Sequence, residues 1–206
     1  KKYKFKLREK NEKEPLKILF CGRFIEKKGL KIAIIAIHNA IKMGCHINFN
    51  IIGDGPQKDE VKRLVDKLKI IQFVKFFGIM DHKEFINECY RHHVMIVPSQ
   101  IDKKNGETEG GAPTVLIEAQ ATGLPIIATD HADIPEIVIN GKSGFLAKEG
   151  DSKSLSKAII KLYKNPLLLK TMGQFGKTHV FRQHNIVDVS KRLLYLYKLA
   201  IKSKPS

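Results

Sequence analysis

Apolar positions along the chain change period in a regular order. LKILFCG (16–22) is a short apolar run stopped by glycine and predicts a buried strand. KKGLKIAIIAIHNAIKMG (27–44) then carries apolar residues at helical spacing, with Gly44 suited to its C-terminal end. INFNIIG (47–53) is the next strand, DGP turns the chain, and Lys58 to Lys69 returns to helical periodicity. FVKFFG (73–78) predicts a third strand, DHKEFINECYRH a helix and VMIVPS (94–99) a fourth strand. A polar stretch, QIDKKNGETEGGA, leads into PTVLIEAQATG (113–123), a helix with proline in its first turn and glycine past its end. PIIATD (125–130) and GFLA (144–147) are the fifth and sixth strands. Three helical segments close the chain: 151–164, about 167–182 and 186–203.

Apolar strands alternating with helices imply an α/β fold. The expectation is a Rossmann-like, doubly wound parallel sheet of about six strands with helices on both faces. Right-handed crossovers put every strand's C-terminal end on one edge, where such sheets bind ligands. The loops to consider are therefore GRFIEKKG, GDGP, FGIMD, PSQIDKKNGETEGGA and TDHADIPE.

The chain has 206 residues, 43% of them hydrophobic, which suits one sizeable core. Residues 16–203 are expected to form that domain. The charged opening, KKYKFKLREKNEKEPL, shows no signal peptide, and residues 1–15 are expected to be a linker or tail from an N-terminal domain missing here. No apolar run reaches the roughly 20 residues that span a bilayer. Three scattered cysteines, Cys21, Cys45 and Cys89, fit small buried hydrophobes in a reducing compartment, and hence a cytoplasmic protein. Net charge is +16, from 37 Lys and Arg against 21 Asp and Glu. That field attracts polyanions: nucleic acid, an anionic membrane face or phosphorylated substrates. The basic residues are spread out without interleaved aromatics, so specific nucleic-acid binding is not expected, and solvated helix faces account for most of them.

In GRFIEKKG, Gly22 ends a strand and allows close backbone approach. Arg23 and Lys28 flank the entry to a helix whose N-terminus is partially positive. From the residues alone this is either a diphosphate site or a basic turn. In TEGGAPTVLIE, Gly110 and Gly111 lead into a helix whose free amides, near Thr114 and Val115, face the ligand edge. Pro113 has no N–H to offer. Glu118 lies in that helix and Glu109 in the loop before it. Both suit sugar hydroxyls, with a solvated loop acid and a helix-dipole partner as the plainer alternatives. GDGP lacks the G-x-G-x-x-G continuation and is expected to be a structural turn. No histidine motif indicates a metal site. Asp130 and Asp133, either side of His131, are expected to be turn and cap residues.

GRFIEKKG, IIGDGP, VKFFG, TEGGAPTVLIEA, GLPIIATD and IPEIV, in this order, resemble the C-terminal domain of GT-B-fold retaining glycosyltransferases of family 4, over about residues 16–165. The resemblance implies a nucleoside diphosphate sugar as donor, its sugar transferred with retention to an acceptor hydroxyl. It assigns the donor diphosphate to Arg23 and Lys28, the ribose hydroxyls to Glu118 and the transferred sugar to Glu109. The backbone at Gly78 and Ile79 would meet the base. It implies no metal and no other cofactor, and the missing N-terminal domain as partner. The family's paired glutamates have seven residues between them; here eight separate Glu109 from Glu118, with Gly110 at the usual position. A one-residue bulge at Gly110–Gly111 would absorb the difference, with Glu107 as the other candidate. The GGAP variant points to cell-surface polysaccharide or glycolipid synthesis, where a lipid-linked acceptor would bring the protein to the inner membrane face. Rival functions are a nucleotide-sugar epimerase on the same scaffold, a phosphorylase-like enzyme (for which no pyridoxal phosphate lysine motif is seen) and a non-specific nucleic-acid-binding module.

Overall fold

The computed structural model describes residues 3–11 and 13–202. Residues 1, 2 and 12 of the expected linker, and residue 203 of the expected last helix, lie outside the described residues. Six parallel strands form one sheet: β1 (Leu16–Cys21), β2 (Ile47–Ile52), β3 (Val74–Gly78), β4 (Val94–Val97), β5 (Ile126–Thr129) and β6 (Gly144–Ala147). Their order is β3-β2-β1-β4-β5-β6. This is the doubly wound arrangement expected, and it reverses direction between β1 and β4, where a crevice opens at the strands' C-terminal ends.

The strand residues divide between two cores with period two. Ile18, Phe20, Val94, Ile96 and Ile127 face one side of the sheet. Leu19, Met95, Val97, Ile126 and Ala128 face the other. The first core is covered by α1 (Leu30–Lys42), α2 (Lys58–Lys67) and α6 (Ser152–Lys164). The second is covered by α3 (His82–Arg91), α4 (Thr114–Ala121) and the four-residue α5 (Ile134–Ile137), with Val180 of α7 (Leu167–Gln183) reaching it. The central strands β4 and β5 are buried along their whole length, which is why VMIV and IIAT are continuous apolar runs, whereas β2 and the edge strand β3 admit Asn48 and Lys75 on an exposed face. The expected helix over 27–44 divides: Glu26–Lys28 form a 3-10 turn, and α1 begins after Gly29.

Gly29 is fixed by its surroundings. Its φ is +64°, and a Cβ there would sit 1.9 Å from the Pro98 carbonyl oxygen. Only glycine lets α1 start this close to the end of β4. The GDGP turn packs under the same corner. The Phe24 amide donates to the Asp54 carbonyl (2.9 Å), the Gln57 amide to the Phe24 carbonyl (3.0 Å) and the Gly53 amide to the Gly78 carbonyl (2.8 Å).

Residues 3–11, within the segment expected as a linker, lie against the second core as an irregular strap. Arg8 is 2% exposed. Its guanidinium donates to the carbonyls of Cys89, near the end of α3, and Thr122, which caps α4, and to the Thr122 hydroxyl. A cation at two helix C-termini offsets their partial negative charge. Burial nevertheless pulls the Arg8 pKa down to about 10. At the far end, α8 (Ile186–Lys202) exposes Ile186, Leu194, Tyr195 and Ile201 among others. Among the described residues no helix is long and apolar enough to cross a membrane.

His93 ties β1 to β4 at their N-terminal ends, away from the crevice. Its Nδ1 accepts from the Lys17 amide (3.1 Å) and its own amide donates to the Lys17 carbonyl (2.9 Å). Burial pulls its pKa down to about 4, against the attraction of Glu14. The folded state therefore binds fewer protons than the unfolded chain, and stability is complete above an unfolded pKa of about 6.5. It falls as pH drops from there towards the folded value. The expected loss at acid pH is of order 2–3 kcal/mol from this group. Urea unfolding from pH 7.5 to pH 4.5 measures it, and His93→Asn, whose Oδ1 replaces the accepting nitrogen, should flatten the profile.

Candidate donor site at the β1–β4 crevice

Gly22 follows β1 directly, and the 3-10 turn after it carries Lys28 into the crevice. From the other side, Ser99 and Gln100 follow β4, and the loop beyond them returns Glu109. Lys28 Nζ lies 2.6 Å from Glu109 Oε2. Ser99 Oγ donates to Glu109 Oε1 at 2.6 Å. The Glu109 side chain is 6% exposed, so both carboxylate oxygens are satisfied inside the crevice. Glu107 is instead 59% exposed and pairs with Lys27 at 3.1 Å, on the outside of the loop. The sequence favoured Glu109, with Glu107 as the other candidate; only Glu109 faces the crevice. Gly110 has φ +70° and is exposed, so the chain bends there in a conformation that a side chain would resist.

Pro113 precedes α4 with an extended ψ of 128°. The Leu116 amide bonds to the Pro113 carbonyl (3.0 Å). Among the described residues the Thr114 and Val115 amides have no acceptor, which leaves two donors at the helix entry. One turn on, Glu118 is not buried among apolar groups: its side chain is 24% exposed. Its Oε1 meets His82 Nε2 at 2.8 Å and the Tyr3 hydroxyl at 3.2 Å. Burial, then the Glu118 carboxylate, push the Tyr3 hydroxyl up to about 12, so it remains a donor. Arg23 is exposed, and its side chain has no partner among the described residues. Gly78 has its carbonyl committed to Gly53, and Ile79 beside it is 82% exposed.

Of two supporting residues, His131 was read from the sequence only as part of a turn, and Glu149 was not singled out. His131, 3% exposed, accepts from the Glu109 amide through Nε2 (3.2 Å), and its Nδ1 lies 2.6 Å from Glu149 Oε1. Burial alone would raise the Glu149 pKa; bonds from His131 and the Ile101 amide hold it below the usual range. The neighbouring Asp133 takes the N-cap position of α5 as expected, but without a side-chain cap bond. The crevice's other wall is braced by Glu26, which accepts from Gln57 (2.7 Å) and Gln100 (2.9 Å) and pairs with Lys31 (2.9 Å). Among the described residues no group of three or more His, Cys, Asp or Glu side chains is arranged to hold a metal ion.

Residues 2–179 match the family of glycosyl transferases group 1. The amylovoran biosynthesis glycosyltransferase AmsK of Erwinia amylovora is 30% identical over 201 residues, 93% of this chain and 48% of AmsK. The chain thus spans about half the length of that relative. Among solved structures, HepE of Anabaena in complex with UDP superposes with a TM-score of 0.76 at 19% identity, over 89% of this chain and 49% of HepE. The C-terminal domain of the group 1 glycosyl transferase LpcC of Francisella tularensis has a TM-score of 0.75 at 21% identity, over 90% of this chain and 96% of that domain. The fold is therefore that of one half of a GT-B glycosyltransferase, and with the match running from residue 2 to residue 179 the chain belongs to the glycosyl transferases of group 1.

Proposed function

We propose that this chain is the donor-binding half of a retaining glycosyltransferase that takes a nucleoside diphosphate sugar and transfers the sugar to an acceptor hydroxyl. The observation that carries this reading is the convergence of Lys28, Glu109 and the entry of α4 in one crevice at the switch point of the sheet. Cation, free amides and buried carboxylate there match the three parts of such a donor. Lys28, Arg23 and the Thr114 and Val115 amides hold the diphosphate. They stabilise the charge that grows on it as the glycosidic bond breaks. Glu109 orients the sugar through its hydroxyls and Glu118 holds the ribose. The reading uses no metal: the two cations and the helix entry carry the phosphate charge. UDP in the HepE structure supports a uridine nucleotide as the first ligand to try. AmsK supports a place in polysaccharide synthesis. The acceptor would meet the other half of the enzyme, on the cytoplasmic side of a membrane whose anionic lipids attract the +16 charge.

Calorimetry with UDP and GDP tests the core of this. Saturable binding of at least one of them, weakened by Arg23→Ala, is expected; no binding of either defeats the proposal. Glu118 gives an independent prediction. Native protein should prefer UDP to 2′-deoxy-UDP by about tenfold, the worth of one hydrogen bond to a charged group. Glu118→Ala should bind the two alike. An unchanged preference in that variant would remove Glu118 from the ribose.

A further inference from the structure

The segment 101–109 leaves β4's loop, runs through exposed residues and returns to deliver Glu109. Within itself it is closed by local bonds alone: the Gly106 amide to the Asp102 carbonyl (2.8 Å), the Asp102 amide to the Glu107 carbonyl (2.8 Å), and two turn bonds, from the Lys104 amide to Asp102 Oδ1 (2.9 Å) and from the Glu107 amide to Asn105 Oδ1 (3.0 Å). No apolar core holds it. Its two ends, however, are held from outside. The Ile101 amide donates to Glu149 Oε2 (3.0 Å), and the Glu109 amide donates to His131 Nε2 (3.2 Å). His131 and Glu149 are joined at 2.6 Å, so both anchors are one unit. An amide N–H can donate only to an unprotonated ring nitrogen, so Nε2 carries the lone pair and Nδ1–H donates to Glu149. Each oxygen of Glu149 thus serves one side of the loop. His131 lies just past β5 and Glu149 just past β6, so the two outermost strands of this half of the sheet each supply one member.

We propose that His131 and Glu149 are positioning residues: a clamp that closes the base of the 101–109 loop and fixes the direction of the Glu109 side chain. The clamp fixes the backbone at Glu109, while Ser99 and Lys28 take up its carboxylate. Ordering the backbone of a loop residue costs conformational entropy. The clamp meets that cost before substrate arrives, which is what precise orientation of a reacting sugar requires. Its importance for transfer rests on Glu109 being the sugar-contacting acid; its existence does not.

Amide hydrogen exchange on the 206-residue chain, followed by NMR, reads the clamp without any donor. In native protein the Ile101 and Glu109 amides should be protected, and the His131 nitrogens should report the Nδ1–H form. Glu149→Ala should speed exchange at both amides by at least about tenfold while sheet amides keep their protection. The loss at Glu109, which Glu149 does not touch, is the signature of coupling through His131. His131→Ala should release Glu109, and His131→Gln, which offers one acceptor and one donor, should restore protection there. Loss confined to Ile101 in Glu149→Ala, or unprotected amides in native protein, overturns the clamp. If the clamp holds but Glu109→Ala binds a UDP-sugar no differently from native protein that does bind it, the reading of Glu109 fails instead.

Discussion

Replacing Lys28 with alanine is expected to weaken UDP binding by about 10- to 100-fold. A hydrogen bond between a charged donor and a charged acceptor contributes about 1.5–3 kcal/mol, which sets the range. Lys28 serves two anions in this reading, the diphosphate and Glu109, and an ammonium has three donors to share between them. Removing it does more than delete one contact. Glu109, 6% exposed, would keep only the Ser99 hydroxyl, and a carboxylate short of its cation would face the incoming diphosphate. Part of the loss should therefore return when Glu109→Gln is added, although neither change alone improves the site. Calorimetry on the two single variants and the double variant measures this coupling. An affinity for Lys28→Ala within about twofold of native would remove Lys28 from the phosphate site. Equal losses in single and double variants would show that Glu109 contributes nothing to the penalty.

The larger effect on stability belongs to Gly29. Gly29→Ala should cost about 4 kcal/mol or more, in the exceptional range for one methyl group. Two causes add. The residue has φ +64°, a conformation that costs an L-residue about 1–2 kcal/mol. The new Cβ would also meet the Pro98 carbonyl oxygen at 1.9 Å, and that obstacle is backbone, which no rotamer change can clear. Relief requires α1 to move away from the end of β4, opening the crevice that holds Lys28 and Glu109. Gly44 separates the two causes. Its φ is +84°, but a Cβ there meets nothing within 4 Å. Gly44→Ala should therefore show the conformational cost alone. Urea unfolding of both variants decides the matter, and equal losses would mean that the contact at Pro98 is readily relaxed.

Period alone identified the strands and long helices, because strands buried on both faces must be apolar and covering helices must be apolar on one side. The parallel arrangement then followed from alternation, and the ligand edge from handedness. Gly22, Lys28 and Thr114 were legible for that reason: each sits where a strand ends or a helix begins on that edge. The sequence favoured Glu109 over Glu107, but the burial of the one and the exposure of the other were not legible. Both depend on a left-handed bend at Gly110 and on cations two and three positions from the start of α1. His131 and Glu149 were less visible still. A lone histidine beside two aspartates has the composition of a turn, and its partners lie 22 residues before it and 18 after it. Arg8 was hidden by its company: in a run of lysines and glutamates it had the look of a solvated charge. Its burial follows from two sets of helix-terminal carbonyls that no local pattern records.

The strap that carries Arg8 bears on how such a protein can be recombined. A crossover placed at Leu16 would transfer all six strands and still leave behind the guanidinium that closes α3 and α4, and the Tyr3 hydroxyl that reaches Glu118. The recipient would inherit a complete sheet with two helix ends uncapped and Glu118 short of one donor. A hybrid joined upstream of Tyr3 keeps these contacts together. The unit of exchange in this fold therefore begins well before its first strand.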